Sequence, residues 1–123
     1  MQTQMFGDGK ATIEVGATGE DRAVDHLVRN GLRIVERNYR CKVGELDVVA
    51  RDGKTLVFVE VRSRRSAEYG CALDAVSWHK RRKVTRVAMA YLAARKPRFV
   101  DARFDVVAIT GNELVHIKDA WRL

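Results

Sequence analysis

Apolar residues recur every three to four positions in two segments of the chain, a pattern that predicts two helices. The first is predicted over about 18–30, because Thr18 followed three residues later by Asp21 resembles a capping box. The second is predicted over about 74–95 and ends before Pro97, which cannot continue a helix. Both helices carry an apolar stripe and are therefore expected to pack against other elements.

Alternating and β-branched runs predict strands elsewhere. Five such runs occur, at 32–40, 44–50, 54–63, 103–110 and 114–118. Asp52 and Gly53 separate the second run from the third and form a strong hairpin signal. The resulting order, α-β-β-β-α-β-β, predicts an α/β fold with a mixed central β-sheet of about five strands and flanking helices.

The predicted hairpin has one apolar face. With its turn at 52–53, Val48 faces Val57 across the hairpin. The side chains on the first face are those of a core: Leu46, Val48, Ala50, Val57, Val59 and Val61. The second face is apolar near the turn and charged at the open end.

Two carboxylates occupy this charged end. In the predicted register Asp47 lies opposite Phe58 and diagonal to Glu60, and diagonal neighbours have Cβ atoms roughly 7–8 Å apart. Both carboxylates can therefore reach one hard cation between them, and carboxylate oxygens are the ligands that Mg²⁺ prefers. The alternative is a solvated sheet face on which they pair with Arg62 or Arg40.

Each predicted helix carries one charged residue among its apolar positions. Glu20 lies on the same stripe as Leu27, and Lys80 is centred on the stripe of Val84 and Tyr91. Buried charges are unfavourable unless they are paired or bind a metal, and the alternative is exposure at a helix end. Taken together, five residues predict one shared polar site: Glu20, Asp47, Glu60, Arg62 and Lys80.

Positive charge is concentrated in one part of the 123-residue chain. Its 23 Lys and Arg exceed its 16 Asp and Glu, and residues 61–100 hold 11 of the basic side chains but only 2 of the acidic ones. Such a segment favours a localised anionic partner, nucleic acid above all. The alternative is a solvated helix face.

No segment of the sequence predicts membrane insertion or metal binding by cysteine. The longest apolar run, Val87–Ala94, has eight residues, whereas a bilayer helix needs about 18. Without a visible signal peptide, we expect a cytoplasmic protein with a flexible leader (1–14) and a single domain (15–123). Cys41 and Cys71 lie thirty residues apart with no C-x-x-C motif, so free thiols are expected rather than a zinc site.

Several spaced motifs resemble one family. Gly19-Glu20, the segments 44–47 and 59–64, Val76 through Lys80 and the strand 103–107 are together similar to the YraN-like uncharacterised protein family. The similarity runs from about residue 15 to 120. That family is placed among the restriction-endonuclease-like, PD-(D/E)xK nucleases, close to archaeal Holliday-junction resolvases. The resemblance therefore implies a restriction-endonuclease-like fold, and by analogy with resolvases it allows a homodimer.

The resemblance implies roles residue by residue. Asp47 and Glu60 match the paired acidic residues of the motif and would be Mg²⁺ (or Mn²⁺) ligands. The carbonyl of Val61 would be a third ligand, and Glu20 would complete or orient the site. Arg62 stands where the motif has a lysine.

This departure from the motif affects the chemistry. A lysine can exchange a proton with attacking water, whereas an arginine stays protonated and can only stabilise developing negative charge. Because Lys80 is directed at the sheet by its helix position, we expect it to supply the displaced ammonium. Leu46 stands at the motif proline, a change that concerns backbone shape more than chemistry.

Two functions follow from these expectations. The first is a Mg²⁺-dependent endonuclease that hydrolyses phosphodiester bonds in structured or branched DNA. Flanking phosphates would then be held by five basic side chains: Arg64, Arg65, Arg82, Lys83 and Arg86. The second is a non-catalytic nucleic-acid-binding module that retains the nuclease fold. A protein-interaction role is a third reading, which no specific residue supports.

Overall fold

The protein folds as two helices and five strands in the predicted order, here in a computed structural model that describes residues 18–64 and 77–123. The elements are α1 (Gly19–Arg29), β1 (Arg33–Cys41), β2 (Gly44–Asp52), β3 (Thr55–Arg64), α2 (Trp78–Arg95), β4 (Asp101–Thr110) and β5 (Glu113–Trp121). The predicted leader, Arg65, Cys71 and the first residues predicted for the second helix lie outside the described residues.

The five strands form one mixed sheet in the order β1-β2-β3-β4-β5. β3 and β4 pair in parallel, and the other three neighbouring pairs are antiparallel. A parallel pair needs a long crossover connection, and α2 lies within the connection between β3 and β4. The predicted α/β fold with a mixed five-stranded sheet is therefore confirmed.

Both helices begin at hydrogen-bonded caps. Thr18 and Asp21 form the predicted capping box: the Asp21 amide donates to Thr18 Oγ1 at 3.1 Å, and the Thr18 amide donates to Asp21 Oδ2 at 3.2 Å. α2 begins at Trp78, later than the predicted start near residue 74. The reason is Ser77, whose extended backbone and side chain, which accepts from the Lys80 amide at 3.2 Å, cap the helix there.

The register of the β2–β3 hairpin differs from the predicted one. Val48 pairs with Val59 rather than Val57, because the two turn residues are Gly53 and Lys54 rather than Asp52 and Gly53. Gly53 has a φ of 62°, and a turn with glycine at its first central position requires this positive φ there. Phe58, predicted to lie opposite Asp47, pairs with Val49 instead, and the regular pairing ends at Val48 and Val59.

Both faces of the central strands are buried under a helix. Ala23 and Leu27 of α1 pack in one cluster with residues of β2 and β3: Val48, Ala50, Val57 and Val59. Val84, Val87 and Tyr91 of α2 pack in a second cluster with the alternate residues Val49, Leu56 and Phe58. The second face of the hairpin was predicted to be apolar near the turn, and this part of it is a second core face.

Leu46 lies on the opposite side from the predicted one. It belongs to the α2 cluster together with its β1 partner Tyr39, and not to the face of Val48. The change of side coincides with Asn38, whose φ of 55° twists β1. Arg37, on one side of Asn38, contacts α1, whereas Tyr39, on the other side, packs in the α2 cluster.

Neither of the two helices in the described ranges is long and apolar enough to cross a membrane.

Candidate active site

Glu60 is the centre of the candidate site. Its side chain is only 4% exposed, although it is a carboxylate in the middle of β3. Two cations contact its Oε2 atom: Lys80 Nζ at 3.3 Å and Arg62 Nη1 at 3.5 Å. Lys80 comes from the first turn of α2 and Arg62 from β3 itself, so the helix and the sheet meet at this carboxylate.

Asp47 on β2 is the second carboxylate of the site, and it is half-buried. Its Oδ2 accepts a hydrogen bond from the Val61 amide at 2.9 Å, which links β2 to β3 where the two strands diverge beyond the Val48–Val59 pair. Burial raises the pKa of Asp47 above its ordinary value, even though the Val61 hydrogen bond lowers it. The side chain is therefore held in place but poorly solvated.

The negative charge of Asp47 disfavours the ionisation of Glu60. Burial, and after it the negative charge of Asp47, raises the pKa of Glu60 to about 7, although Lys80 and Arg62 act in the opposite direction. Like charges this close are stabilised by a proton or a cation between them. The contacts of Lys80 and Arg62 with Glu60 therefore offset only part of the effects of burial and of Asp47.

Glu20 lies near this pair but contacts other residues. Its Oε2 accepts from Arg37 Nε at 2.8 Å and from Asn38 Nδ2 at 3.0 Å. Its charge still reaches Asp47, whose pKa it raises as a minor contribution. The structure therefore brings Asp47, Glu60, Arg62 and Lys80 together and holds Glu20 at the edge, with an arginine and an asparagine as partners.

A small cavity of about 200 Å³ opens beside Asp47. It lies between β2 and α2 and is lined by Gly44, Glu45, Asp47, Lys80, Lys83 and Val84. Gly44 permits this close approach, because a Cβ atom there would lie 3.0 Å from Val87 Cγ2 of α2. The absence of a side chain at this position lets α2 place Lys80 and Lys83 over the carboxylates.

The carboxylates of Asp47 and Glu60 suit a hard cation that binds few protein ligands. Within residues 18–64 and 77–123, no three His, Cys, Asp or Glu side chains converge as a metal-binding group. Mg²⁺, however, is usually held by one or two carboxylates, with waters and substrate phosphates completing its shell. Asp47 and Glu60 provide two such carboxylates, on the adjacent strands β2 and β3.

The basic residues expected to contact phosphates lie on two sides of α2. Lys83 lines the cavity beside Asp47, whereas Arg82 and Arg86 line a groove on the other side of the helix. Arg64 ends β3 beside Arg22, close to the turn that joins β4 and β5. Arg65 lies outside the described residues.

Three residues of this region were not anticipated from sequence. Arg37 and Asn38 hold Glu20, and neither carries a sequence signal, because their contact with α1 depends on the twist of β1 at Asn38. Trp121 lines the groove with Arg82 and Arg86. Its position near the end of the chain gave no indication of this placement.

The comparison with protein-family models matches residues 19–109 to "Uncharacterised protein family UPF0102". A UPF0102 protein of Geobacter sulfurreducens is 47% identical over 114 residues, covering 89% of each chain. A UPF0102 protein of Dechloromonas aromatica is also 47% identical, over 110 residues, covering 89% of this chain and 90% of the relative. A third, from Syntrophus aciditrophicus, is 44% identical over 115 residues.

The chain belongs to the UPF0102 family. The span that matches this family includes every residue of the predicted polar site: Glu20, Asp47, Glu60, Arg62 and Lys80. It ends before β5, so Trp121 lies beyond it. The name of the UPF0102 family states no activity, and the function is therefore inferred from the chemistry of the site.

Proposed function

We propose that this UPF0102 protein is a divalent-metal-dependent endonuclease that acts on structured or branched DNA. The observation that carries the proposal is the meeting of a buried carboxylate, Glu60, and a half-buried one, Asp47, with the amine of Lys80 at 3.3 Å from Glu60. Two carboxylates on neighbouring strands, with a lysine and an arginine beside them, are the side chains that a magnesium-dependent phosphodiesterase needs.

In the proposed reaction, the acidic residues and Val61 bind and orient the metal ion. Asp47 and Glu60 would hold Mg²⁺ or Mn²⁺, which when bound supplies a Lewis acid and a water of lowered pKa. The Val61 amide fixes the Asp47 carboxylate, and the neighbouring Val61 carbonyl is a further proposed ligand. Glu20, whose charge reaches Asp47, would orient the site from α1.

The two cations differ in what they can do. Lys80, whose Nζ lies 3.3 Å from Glu60 Oε2, would exchange a proton with the attacking water. Arg62 contacts the same carboxylate and would stabilise negative charge that develops on the phosphate. Cations on both sides of α2 support a substrate that extends across the helix, as a branched DNA would.

The test is cleavage of a four-way DNA junction in Mg²⁺. We expect the wild type to cut, and Asp47→Asn and Glu60→Gln to cut no faster than background, because each removes one of the two charges that hold the ion. Glu113→Gln, which changes an exposed carboxylate at the start of β5, is the matched control and should cut normally. Cutting by both site variants at the wild-type rate, or undiminished cutting in EDTA, would refute the proposal.

The second candidate function is that of a non-catalytic nucleic-acid-binding module. It is favoured by the hydrogen bonds of Glu20 with Arg37 and Asn38, which hold the Glu20 carboxylate away from Asp47 and Glu60. This function predicts junction binding without cutting, at an affinity that neither Mg²⁺ nor Asp47→Ala changes. An Mg²⁺-dependent rise in affinity that Asp47→Ala abolishes would exclude it.

A further inference from the structure

A groove of about 400 Å³ lies on the side of α2 that faces away from Glu60. It is lined mainly by two tryptophans and four arginines: Trp78, Trp121, Arg81, Arg82, Arg86 and Arg122. These are the only two tryptophans of the chain, which has 123 residues. The α2 residues of the groove are spaced three and four apart, so they form one continuous helical face.

One wall of the groove is rigid. The Trp121 ring stacks on Phe104 with centroids 4.8 Å apart and planes 9° from parallel. Its Nε1 donates to Thr85 Oγ1 at 2.9 Å, which ties the end of β5 to α2. The Arg81 guanidinium lies 5.4 Å from the centre of the same ring. Trp121 is therefore a fixed surface, positioned from the sheet and from the helix.

The other wall is an exposed aromatic ring. Trp78 is 63% exposed at the first turn of α2, and the guanidinium of Arg82 lies 4.7 Å from its ring centre. An indole exposed to this degree leaves a large apolar surface in water, and tryptophans in such positions serve recognition. A planar guanidinium beside it adds a second surface on which a flat ring can stack.

The groove also has uncompensated positive charge. Arg122 is paired with Asp101 and Asp119. Arg81, Arg82 and Arg86, in contrast, form no ion pair with any residue in the described ranges. A ligand suited to this surface presents flat aromatic rings and repeated negative charge. A single-stranded nucleic acid does so, because its bases stack on aromatic side chains while basic residues follow its phosphates.

We propose that this groove binds an unpaired stretch of nucleic acid, with a base stacked on Trp78 and adjacent phosphates on Arg81, Arg82 and Arg86. The bases of an intact duplex are stacked on one another and cannot occupy the groove. The inference rests on the proposed function for its class of substrate, and it adds a preference for DNA that has unpaired nucleotides next to the cutting site. Trp78 and Lys80 lie two residues apart, so one strand can contact both sides of the helix.

The experiment measures binding in EDTA, where no cutting takes place. The wild type is titrated with a fluorescently labelled oligothymidylate, and its tryptophan fluorescence is followed as an independent signal of groove occupancy. We expect quenching on binding. Because stacking of one base contributes about 1–3 kcal/mol, Trp78→Ala should weaken the affinity about 5- to 150-fold. Trp78→Phe retains a ring and should recover most of it.

Three comparisons decide the outcome. Met89→Ala, an exposed apolar change on the same helix, should leave the affinity unchanged. A blunt duplex of equal length should bind more weakly and be insensitive to Trp78→Ala. An equal loss for the duplex, no loss for either DNA, or displacement of the oligothymidylate by polyglutamate at matched charge concentration would each overturn the proposal.

The result is separable from that of the proposed function. Asp47→Asn should bind the oligothymidylate as the wild type does, because Asp47 lies across α2 from the groove. If the junction is not cut but Trp78→Ala weakens binding, only the nuclease proposal fails. If the junction is cut and Trp78→Ala has no effect on binding, only the groove proposal fails.

Discussion

At the scale of single residues, Glu60 is a buried carboxylate on a strand of the sheet and the centre of the candidate site. It stands in a strand whose neighbouring residues are almost all apolar, and its carboxylate meets Lys80 and Arg62 at one oxygen. Under the proposed function these two cations are not equivalent. An arginine keeps its protons at neutral pH, whereas a lysine amine can give up a proton and take it back.

We therefore expect Lys80→Met to reduce the single-turnover rate of junction cleavage roughly 100- to 10,000-fold, the usual contribution of a positioned acid or base. Lys80→Arg should remain impaired because it restores charge without an exchangeable proton. Adding Arg62→Lys to Lys80→Met should recover part of the rate, since an amine would again be placed beside Glu60, now from β3. The measurement is the rate at saturating Mg²⁺ over a range of pH.

Lys54→Met, at the turn end of β3, is the control for the loss of one lysine and should cut normally. If Lys80→Arg cuts as fast as the wild type, charge alone accounts for the role of Lys80, and the proton-exchange role is wrong.

At the scale of elements, β4 and β5 are joined by a buried ion network. Asp105 on β4 has no exposed surface, and it accepts from Arg103 Nε at 2.9 Å, from the Asp119 amide at 2.9 Å and from His116 Nε2 at 2.8 Å. His116 contacts His26 of α1 through Nδ1 at 3.1 Å. The network thus connects two strands and a helix through one carboxylate.

The pKa of Asp105 lies below its ordinary value. Burial alone would raise it, but the hydrogen bonds from His116, Arg103 and the Asp119 amide outweigh that effect. A carboxyl whose pKa is lowered by folding contributes stability above its unfolded pKa of about 3.9, and the contribution is lost as the pH falls through the lower folded value.

Asp105→Asn should accordingly lower the free energy of unfolding by about 3–5 kcal/mol near neutral pH, because the amide group presents a donor to other donors and leaves Arg103 with Asp52 as its remaining charge partner. The difference from the wild type should shrink at about pH 3. Urea unfolding followed by tryptophan fluorescence measures both. Asp25→Asn, on the surface of α1, is expected to change stability little, and a difference for Asp105→Asn that is independent of pH would contradict the prediction.

At the scale of the whole molecule, the basic residues that the structure describes within 61–64 and 77–100 do not form one continuous surface. Lys80 and Lys83 face the carboxylates, and Arg82 and Arg86 face the tryptophan groove. Arg98 lies in a third place, a cavity beside Gly53 at the hairpin turn. Glu60 lies five residues, about 17 Å, from the turn end of β3, so a phosphate bound at Asp47 and Glu60 is not in contact with Arg98.

This division predicts unequal effects on DNA binding. Lys83→Ala should reduce the slope of log affinity against log salt concentration by about 1, as expected for the loss of one phosphate contact. Arg98→Ala removes the same charge from the same segment and should leave the slope unchanged. Junction binding in EDTA over a series of salt concentrations distinguishes them, and identical slopes for both variants would show that position within the segment is irrelevant.

The sequence alone was sufficient for the order of the elements and for the residue types of the site. Helices and strands follow from periodicities over a few contiguous residues, and the Thr18–Asp21 cap needs only a spacing of three. Lys80 stood out as a charged residue at an apolar helix position, and Asp47 and Glu60 stood out as two carboxylates close together at the open end of the predicted hairpin. The contact of Lys80 with Glu60 agrees with the expected direction of Lys80 toward the sheet. Each of these inferences depended on local pattern.

The tertiary structure decided how these residues meet. The choice of Gly53 and Lys54 as the turn shifted the β2–β3 register, and the twist at Asn38 moved Leu46 to the other side. Both outcomes depend on backbone angles that the hydrophobic pattern does not encode. The engagement of Glu20 by β1 and the pairing of Trp78 with Trp121 across one groove join residues distant in the chain. Such contacts arise only when helices and strands pack together, because packing determines which side chains of separate elements share a space.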